Sequence, residues 1–380
     1  ACYRPALESE TRPGGEAMMR VYGRRRAGVA AGLVVGIAAT VACGGSAPVS
    51  GAPAAAATAQ AGPDYVPPEV TPPSRDLTQA DFDQMMADLS NWGRWGDDDE
   101  LGAANLITPA KRLEAVSLVT EGITVSLEHP LITEEAADVP FPFQRRMLGV
   151  PDPDAEPADY GSVSDNYTIS YHGYSHSHID ALCHIFYKGQ MYNGVSQNAV
   201  TEDGCPNASI INLHGGIVTR GVLMDIPRLK GVDYLEPGTP IYQEDLEAFE
   251  EMAGVTVRPG DAVFIRTGRW ARRAELGPWA VSQEAAGLHT STMPWVRARD
   301  IAFLGSDTAL DVVPSQIEGV RLPVHQVTIV ALGVDLFDNQ DLEALAETAA
   351  RLNRWEFMLV AGPLAVETGT GSPVNAIAIF

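Results

Sequence analysis

Positive charge is scarce in this 380-residue sequence, which has 26 lysine and arginine residues against 49 aspartate and glutamate residues. The net charge of −23 repels the phosphates of nucleic acid and anionic lipid surfaces, so neither is an expected partner of the folded chain. The sequence also has no GxGxxG after a predicted strand and no GxxxxGK followed by Ser or Thr. Those glycine-rich patterns hold nucleotide phosphates, and their absence leaves nucleotide cofactors without support.

The arginines are concentrated near the start of the sequence. Residues 1–43 contain six Arg and three Glu, so the remaining residues carry a net charge of −26. The basic cluster Arg24–Arg26 is followed by Ala27–Cys43, which has no charged residue. This layout is typical of an export signal, and it is short for a membrane-spanning helix. Residues 1–17 precede Met18 and are interpreted as upstream of the translation start.

The uncharged segment ends in Thr40-Val41-Ala42-Cys43, which resembles a bacterial lipoprotein cleavage box with the lipid on Cys43. An ordinary secretory signal cleaved nearby, or an uncleaved anchor, are the alternatives. All three predict an extracytoplasmic protein whose contact with a membrane is through this N-terminal segment alone.

Residues 44–74 are rich in Pro and Ala and predict a tether, whereas residues 75–380 have the composition of a folded domain. Helix and strand patterns alternate irregularly in that domain, which favours an α/β or α+β class. Helices are predicted from Thr78 to Leu89, Lys111 to Leu118, Gln243 to Ala253 and Leu342 to Asn353. Strands are predicted at Ile123–Leu127, Gly221–Asp225, Ala262–Arg266 and Ile301–Leu304.

Four of the eight histidines lie between His172 and His184. In an extended strand, alternate side chains share a face, which would bring His176, His178 and Asp180 together, with His172 and Tyr174 along the same side. Imidazoles and a carboxylate that converge in this way predict a site for a divalent metal such as Zn, Mn or Fe. His184 follows a predicted bend and is interpreted either as a ligand or as a general base beside the metal.

The segment from Ser177 to His184 resembles the T-H-x-D-x-x-x-H portion of a motif in the cyclase-type metal-dependent hydrolases, which include bacterial kynurenine formamidase and isatin hydrolase. Tyr174 stands where that motif has its first histidine. Either His176 or His172 can substitute for that ligand.

The resemblance extends over about 91–380. Trp92–Asn105 is similar to the opening of a subgroup of this family, and Gly260-Asp261 with Arg266-Thr267-Gly268 is similar to its central strand signature. His325 and Asp338 occupy places where the formamidases have a His and a Glu that complete the metal site.

The resemblance implies a swivelling β/β/α fold in the α/β class, with a central mixed sheet flanked by helices, and a homodimer or larger assembly. It implies a hydrolase that uses zinc or manganese to cleave a C–N bond in a small amide, formamide or lactam. His184 is then the catalytic base, and Trp92, Trp95 and Tyr174 are candidates to contact the substrate. The metal ligand candidates are His178, Asp180, His176, His325, His172 and Asp338. A lipid-anchored binding protein that uses the same fold without catalysis is the alternative.

Three features have alternative interpretations. Cys183 and Cys205 either form a disulfide or remain buried thiols, and the free thiols are preferred because Cys183 lies inside the histidine motif. Trp92 and Trp95 are equally consistent with packing anchors. Asp307 follows a predicted strand, where a carboxylate either orients a ligand histidine or caps a turn.

Overall fold

The computed structural model describes residues 65–380 of the chain. The predicted export signal (1–43), Cys43 and the first part of the tether (44–64) lie outside the described residues and stay predictions. Residues 65–74 have neither helix nor strand, and the carbonyl of Val70 accepts a hydrogen bond from Gln243 Nε2 at 2.8 Å. Within residues 65–380, no helix is both long and apolar enough to cross a membrane.

Each predicted helix is confirmed to within two residues at either end. Thr78 begins the first helix with a capping box, in which its side chain accepts from the Asp81 backbone N–H and Asp81 accepts from that of Thr78. The helices are α1 (Gln79–Asp88), α2 (Pro109–Ser117), α3 (Ile226–Lys230), α4 (Gln243–Ala253), α5 (Arg269–Leu276), α6 (Met293–Ala298), α7 (Pro323–His325) and α8 (Glu343–Leu352). A π-helix, Gln326–Leu332, continues directly from α7.

The strands include all four that were predicted, with shifts of up to four residues at their ends. They are β1 (Thr124–Ser126), β2 (Gln144–Gly149), β3 (Ser164–Thr168), β4 (His178–Asp180), β5 (Ile217–Asp225), β6 (Pro240–Ile241), β7 (Ala262–Arg266), β8 (Gly287–Leu288), β9 (Phe303–Ser306), β10 (Asp335–Asp338), β11 (Glu356–Ala361), β12 (Gly371–Pro373) and β13 (Ile377–Ile379).

Nine of these strands form one mixed sheet in the order β1-β13-β11-β5-β7-β9-β10-β4-β12. The central run β5-β7-β9-β10 is parallel, and the outer strands are antiparallel to their neighbours. Every residue of β7 is buried, as expected for a parallel strand covered on both faces. Helices α2, α4 and α8 pack against β5. The predicted central mixed sheet flanked by helices is confirmed.

The position of β4 in this sheet determines where its histidine and aspartate lie. β4 is inserted between β10 and β12 and is antiparallel to both. It contains only His178–Asp180, because the chain from His172 to His176 turns, with Gly173 at a φ of 111°. The extended strand considered for residues 172–180 is therefore confined to its last three residues.

Candidate metal centre

The antiparallel register of β4 and β10 brings two acidic residues and a histidine to one face of the sheet. Asp338 is the register partner of His178, and Leu336 is that of Asp180. Since residues two apart on a strand share a face, His178 and Asp180 point the same way, and Asp338 points with them. All three side chains are buried.

Asp180 lies at the centre of a first group of ligand atoms. Its Oδ1 is 2.8 Å from His172 Nδ1 and 3.4 Å from His178 Nε2. Its Oδ2 is 3.7 Å from His184 Nε2. One ligand atom from each of His172, His178 and Asp180 lies within 4.8 Å of the others.

Asp180 also belongs to a second group, which it forms with His325 and Asp338. His325 Nε2 is 3.2 Å from Asp338 Oδ2, and His178 Nε2 is 4.0 Å from the same oxygen. The two groups therefore make one continuous cluster of imidazole nitrogens and carboxylate oxygens.

The three candidate ligand imidazoles are oriented by hydrogen bonds at the nitrogen that faces away from the cluster. His178 Nδ1 donates to the carbonyl of His176 at 2.8 Å, and His325 Nδ1 lies 2.6 Å from Asp311 Oδ2. His172 Nε2 lies 2.9 Å from Thr370 Oγ1. Each remaining nitrogen faces the carboxylates. This arrangement is the one that metal-binding histidines adopt, with an outer partner holding the ring.

Several atoms of the cluster are buried without a hydrogen-bond partner, among them His178 Nε2 and Asp338 Oδ1. His172 Nδ1 and Asp180 Oδ1 face each other without hydrogen-bond geometry. Buried polar atoms are normally satisfied, and a mixed set of nitrogen and oxygen donors suits a divalent ion such as Zn²⁺ or Mn²⁺. The residues present therefore fit a metal ion.

His184 completes the cluster as a neutral ring. It is stacked on His172 with centroids 3.9 Å apart and planes at 2°. Burial lowers the pKa of His184 to about 4, and the neighbouring histidines add to this effect against the attraction of Asp180. An imidazole that is neutral at physiological pH can accept a proton.

A Cyclase family model matches residues 107–310, which is more than half of the chain. The chain belongs to the Cyclase family. A solved structure described as a novel cyclase is 34% identical over 78% of this chain and 99% of its own, with a TM-score of 0.71. No curated protein matches this sequence.

More distant solved structures include two isatin hydrolases. One, bound to the product analogue thioisatinate, is 18% identical over 71% of this chain and 94% of its own, with a TM-score of 0.46. Isatin hydrolase A from Ralstonia solanacearum is 17% identical over 67% and 91%, with a TM-score of 0.45. The resemblance to the cyclase-type family is confirmed by the family model and the novel cyclase structure.

Two further candidate residues of this Cyclase-family chain, His176 and Tyr174, have different surroundings. His176 is fully buried and both of its ring nitrogens lack a hydrogen-bond partner, but it belongs to neither group of ligand atoms. Burial raises the pKa of the Tyr174 phenol, and the charges of Asp311 and Asp338 add to this effect. A contact of Tyr174 with a substrate stays a prediction.

The two candidate tryptophans, Trp92 and Trp95, both make packing contacts. Trp92 Nε1 donates to the carbonyl of Val330 in the π-helix at 2.6 Å, and the ring lies against Gly194. The guanidinium of Arg94 lies over the Trp95 ring at 4.7 Å. A contact of either residue with a substrate stays a prediction.

Sequence reasoning missed Asp311 and Thr370, which orient His325 and His172. Neither is part of a motif, and both reach their histidines through the tertiary fold. Of the two roles predicted for Asp307, the structure shows the capping one. Its carboxylate accepts hydrogen bonds from the backbone N–H groups of Thr267, Gly268 and Arg269 at the start of α5.

Proposed function

We propose that the protein is a divalent-metal-dependent hydrolase that cleaves a C–N bond in a small amide, formamide or lactam. The observation that carries this proposal is the convergence of imidazole nitrogens and carboxylate oxygens around Asp180, several of them buried and without a hydrogen-bond partner. Membership in the Cyclase family is consistent with it.

His178, Asp180 and His172 would hold one metal position, and His325 and Asp338 would form a second group of ligands with Asp180. His172 is preferred over His176 as the first ligand, because its Nδ1 is 2.8 Å from Asp180 Oδ1 whereas His176 belongs to neither group of ligand atoms. Zinc and manganese both suit these ligand types. A divalent ion bound here would polarise the substrate carbonyl and lower the pKa of the attacking water.

His184 would move the proton in this reaction. As a neutral imidazole it accepts the proton of the attacking water at Nε2, and it then donates that proton to the leaving nitrogen. Asp180 Oδ2, 3.7 Å from Nε2, stabilises the imidazolium between these two steps. Tyr174 would contact the substrate at the edge of the cluster, where the charges of Asp311 and Asp338 reach its phenol.

Metal analysis and activity assays on the same preparation test this proposal. Protein purified without added metal is analysed for zinc and manganese, and it is then assayed on N-formylkynurenine, isatin and simple lactams. Stoichiometric metal with hydrolysis of one of these classes supports the proposal. A metal-free protein that hydrolyses none of them and still binds a small molecule supports the alternative of a binding protein that uses the same fold.

A further inference from the structure

The six residues before β4 form a turn that begins with the candidate metal ligand His172. This ligand turn, residues 172–177, contains neither helix nor strand, and Gly173 at its second position has a φ of 111°. Backbone groups outside helices and strands have no regular set of partners, and they depend on side chains or water for their hydrogen bonds. The contacts of the ligand turn therefore decide whether His172 stays beside Asp180.

Two buried polar side chains, those of Arg269 and Asn339, hold the ligand turn by its carbonyl groups. Asn339 Nδ2 donates to the carbonyl of Gly173, and Arg269 Nη2 donates to that of Tyr174 at 2.5 Å. The two side chains also bind each other, since Arg269 Nη1 donates to Asn339 Oδ1. The Ser177 hydroxyl in turn donates to the Asn339 carbonyl at 2.9 Å. One connected pair of residues thus fixes the ligand turn at its second, third and last positions.

Arg269 is a charged donor in this arrangement. It is 2% exposed, and Asp138 balances its charge with Oδ2 at 3.3 Å from Nη2. Burial lowers the pKa of Arg269 to about 10, so the guanidinium is still charged at physiological pH. Hydrogen bonds from a charged donor are stronger than those between neutral groups. Arg269 directs two such bonds to Asn339 and the Tyr174 carbonyl, which makes it more than the partner of a buried acid.

Asn339 links the ligand turn to the second group of ligand atoms. It directly follows Asp338 in the sequence, and its φ of 54° lies in the left-handed region, which asparagine adopts more readily than most residues. The same segment therefore supplies Asp338 to one group and holds the turn that supplies His172 to the other. The two groups are connected through Asn339 as well as through Asp180, which they share.

We propose that Arg269 and Asn339 are positioning residues that hold the ligand turn in the conformation that brings His172 to Asp180. Neither residue belongs to the groups of ligand atoms, so both act through His172. This inference rests on the proposed function in that His172 is a metal ligand there. The position of the His172 ring can nevertheless be measured in the metal-free protein.

Two substitutions release the ligand turn from opposite sides, each with a matched control. Gly173 is exposed and a Cβ there would meet no atom within 4 Å, so Gly173→Ala disfavours only the backbone conformation. Its control is Gly96→Ala, where φ is 114° and the space is equally open. Asn339→Gly removes the side-chain contacts with a residue that suits the same φ. Its control is Asn353→Gly, at an exposed asparagine with a φ of 48° that ends α8.

The first measurement is NMR of histidine-labelled full chain in the presence of a chelator, with His172→Gln to assign the His172 signal. In the wild type and both controls, a nuclear Overhauser effect should connect the stacked rings of His172 and His184. Gly173→Ala and Asn339→Gly should each lose this effect. If the two rings remain in contact in both variants, the pair does not position His172 and the proposal is overturned.

The second measurement is the affinity for zinc, by competition with a chelator. Gly173→Ala and Asn339→Gly should raise the dissociation constant about 10–100-fold, as the loss of outer partners of a metal site does, and the two controls should leave it unchanged. In a His172→Gln background, Asn339→Gly should cause no further loss, because two changes that act through one residue are not additive. A further loss of the same size would instead show a general structural role and overturn the proposal. A wild type that binds no metal would contradict the proposed function, while the NMR comparison would still decide whether the pair positions His172.

Discussion

Asp338 lies directly opposite His178 across the antiparallel pair of β10 and β4, with Asp338 Oδ2 4.0 Å from His178 Nε2. The two residues are 160 positions apart in the sequence, and the register of the sheet brings them together. Because backbone pairing fixes both residues, the Asp338 side chain can be changed with little effect on the position of its Cα.

Removing the charge of Asp338 should weaken metal binding. Asp338→Asn keeps the shape of the side chain, and we expect the metal affinity to fall by at least roughly 100-fold, the upper end of what loss of an outer partner causes. Titration against a competing chelator measures this. Asp341→Asn, a matched change that keeps the cap on the Glu343 N–H, should bind metal as the wild type does. Unchanged affinity in Asp338→Asn would exclude Asp338 as a ligand.

Replacing His184 should separate catalysis from metal content. If His184 transfers the proton, His184→Gln loses turnover by about 10²–10⁴-fold while the bound metal remains stoichiometric. The comparison is kcat alongside metal per chain, on whichever substrate the wild type hydrolyses. His214→Gln is the control, because His214 is an exposed histidine whose Nδ1 hydrogen-bonds to the Ile211 carbonyl, and it belongs to neither group of ligand atoms. Loss of metal in His184→Gln would instead make this residue a ligand.

The sequence was sufficient to predict the buried parallel strands and the helices of this fold. Ala262–Arg266 is a continuous apolar run followed by an arginine, and Gln243–Ala253 ends at a glycine, so local pattern and tertiary structure agree there. Strand periodicity did not predict the positions of His172 and His176. It requires an extended backbone, and the turn at Gly173 instead directs His172 towards Asp180 and leaves His176 outside both groups of ligand atoms.

Other features could not be predicted because they depend on tertiary structure alone. Asp311 lies fourteen residues before His325 in a connecting segment with no periodic pattern, and it meets the imidazole only when α7 folds back. Strands β2 and β3 were also missed. Both faces of this two-stranded pair are exposed, so its sequence has no alternation of apolar and polar residues to indicate a strand.

Asp311 is expected to act through His325 as a positioning residue. In the wild type, Asp311 Oδ1 accepts from the Val324 N–H at 2.7 Å, and Asp311→Asn keeps an oxygen that can do the same. The substitution removes the negative charge beside His325 Nδ1. Metal affinity or activity should fall about 10–100-fold. Nitrogen NMR of His325 should report a changed hydrogen-bond strength at Nδ1, a signal that a general loss of stability would not produce. Wild-type affinity together with an unchanged Nδ1 signal would refute this role.

Cys183 and Cys205 should both be unreactive in the native protein and reactive after unfolding. Both are free thiols in the structure and are 1% and 0% exposed. Alkylation without reductant, before and after denaturation, followed by peptide mapping, distinguishes them from Cys2 and Cys43. Both peptides should be modified only in the denatured sample. A Cys183–Cys205 peptide pair that requires reductant for modification would show a disulfide.

The buried histidine His289 should make the fold less stable in acid. Its Nδ1 accepts a hydrogen bond from the Ser291 backbone N–H at 3.1 Å, which requires the neutral ring, and burial together with Arg75 lowers its pKa. Above the unfolded pKa of about 6.5 this stability is fully present. As the pH falls below that value, the unfolded chain gains a proton that the folded chain does not, and the free energy of unfolding decreases by up to about 1.4 kcal/mol per pH unit.

His289→Asn tests this effect, because asparagine keeps an acceptor for the Ser291 N–H and does not titrate. Urea unfolding at pH 7.5 and 5.5 should show the wild type losing up to about 1.4 kcal/mol more than the variant, since roughly one pH unit of this range lies below the unfolded pKa. The exposed-site control His214→Asn should lose as much as the wild type. Because His129 is also buried and has a lowered pKa, a smaller pH dependence will remain in His289→Asn. An identical loss in the wild type and His289→Asn would mean that His289 takes up its proton equally in both states.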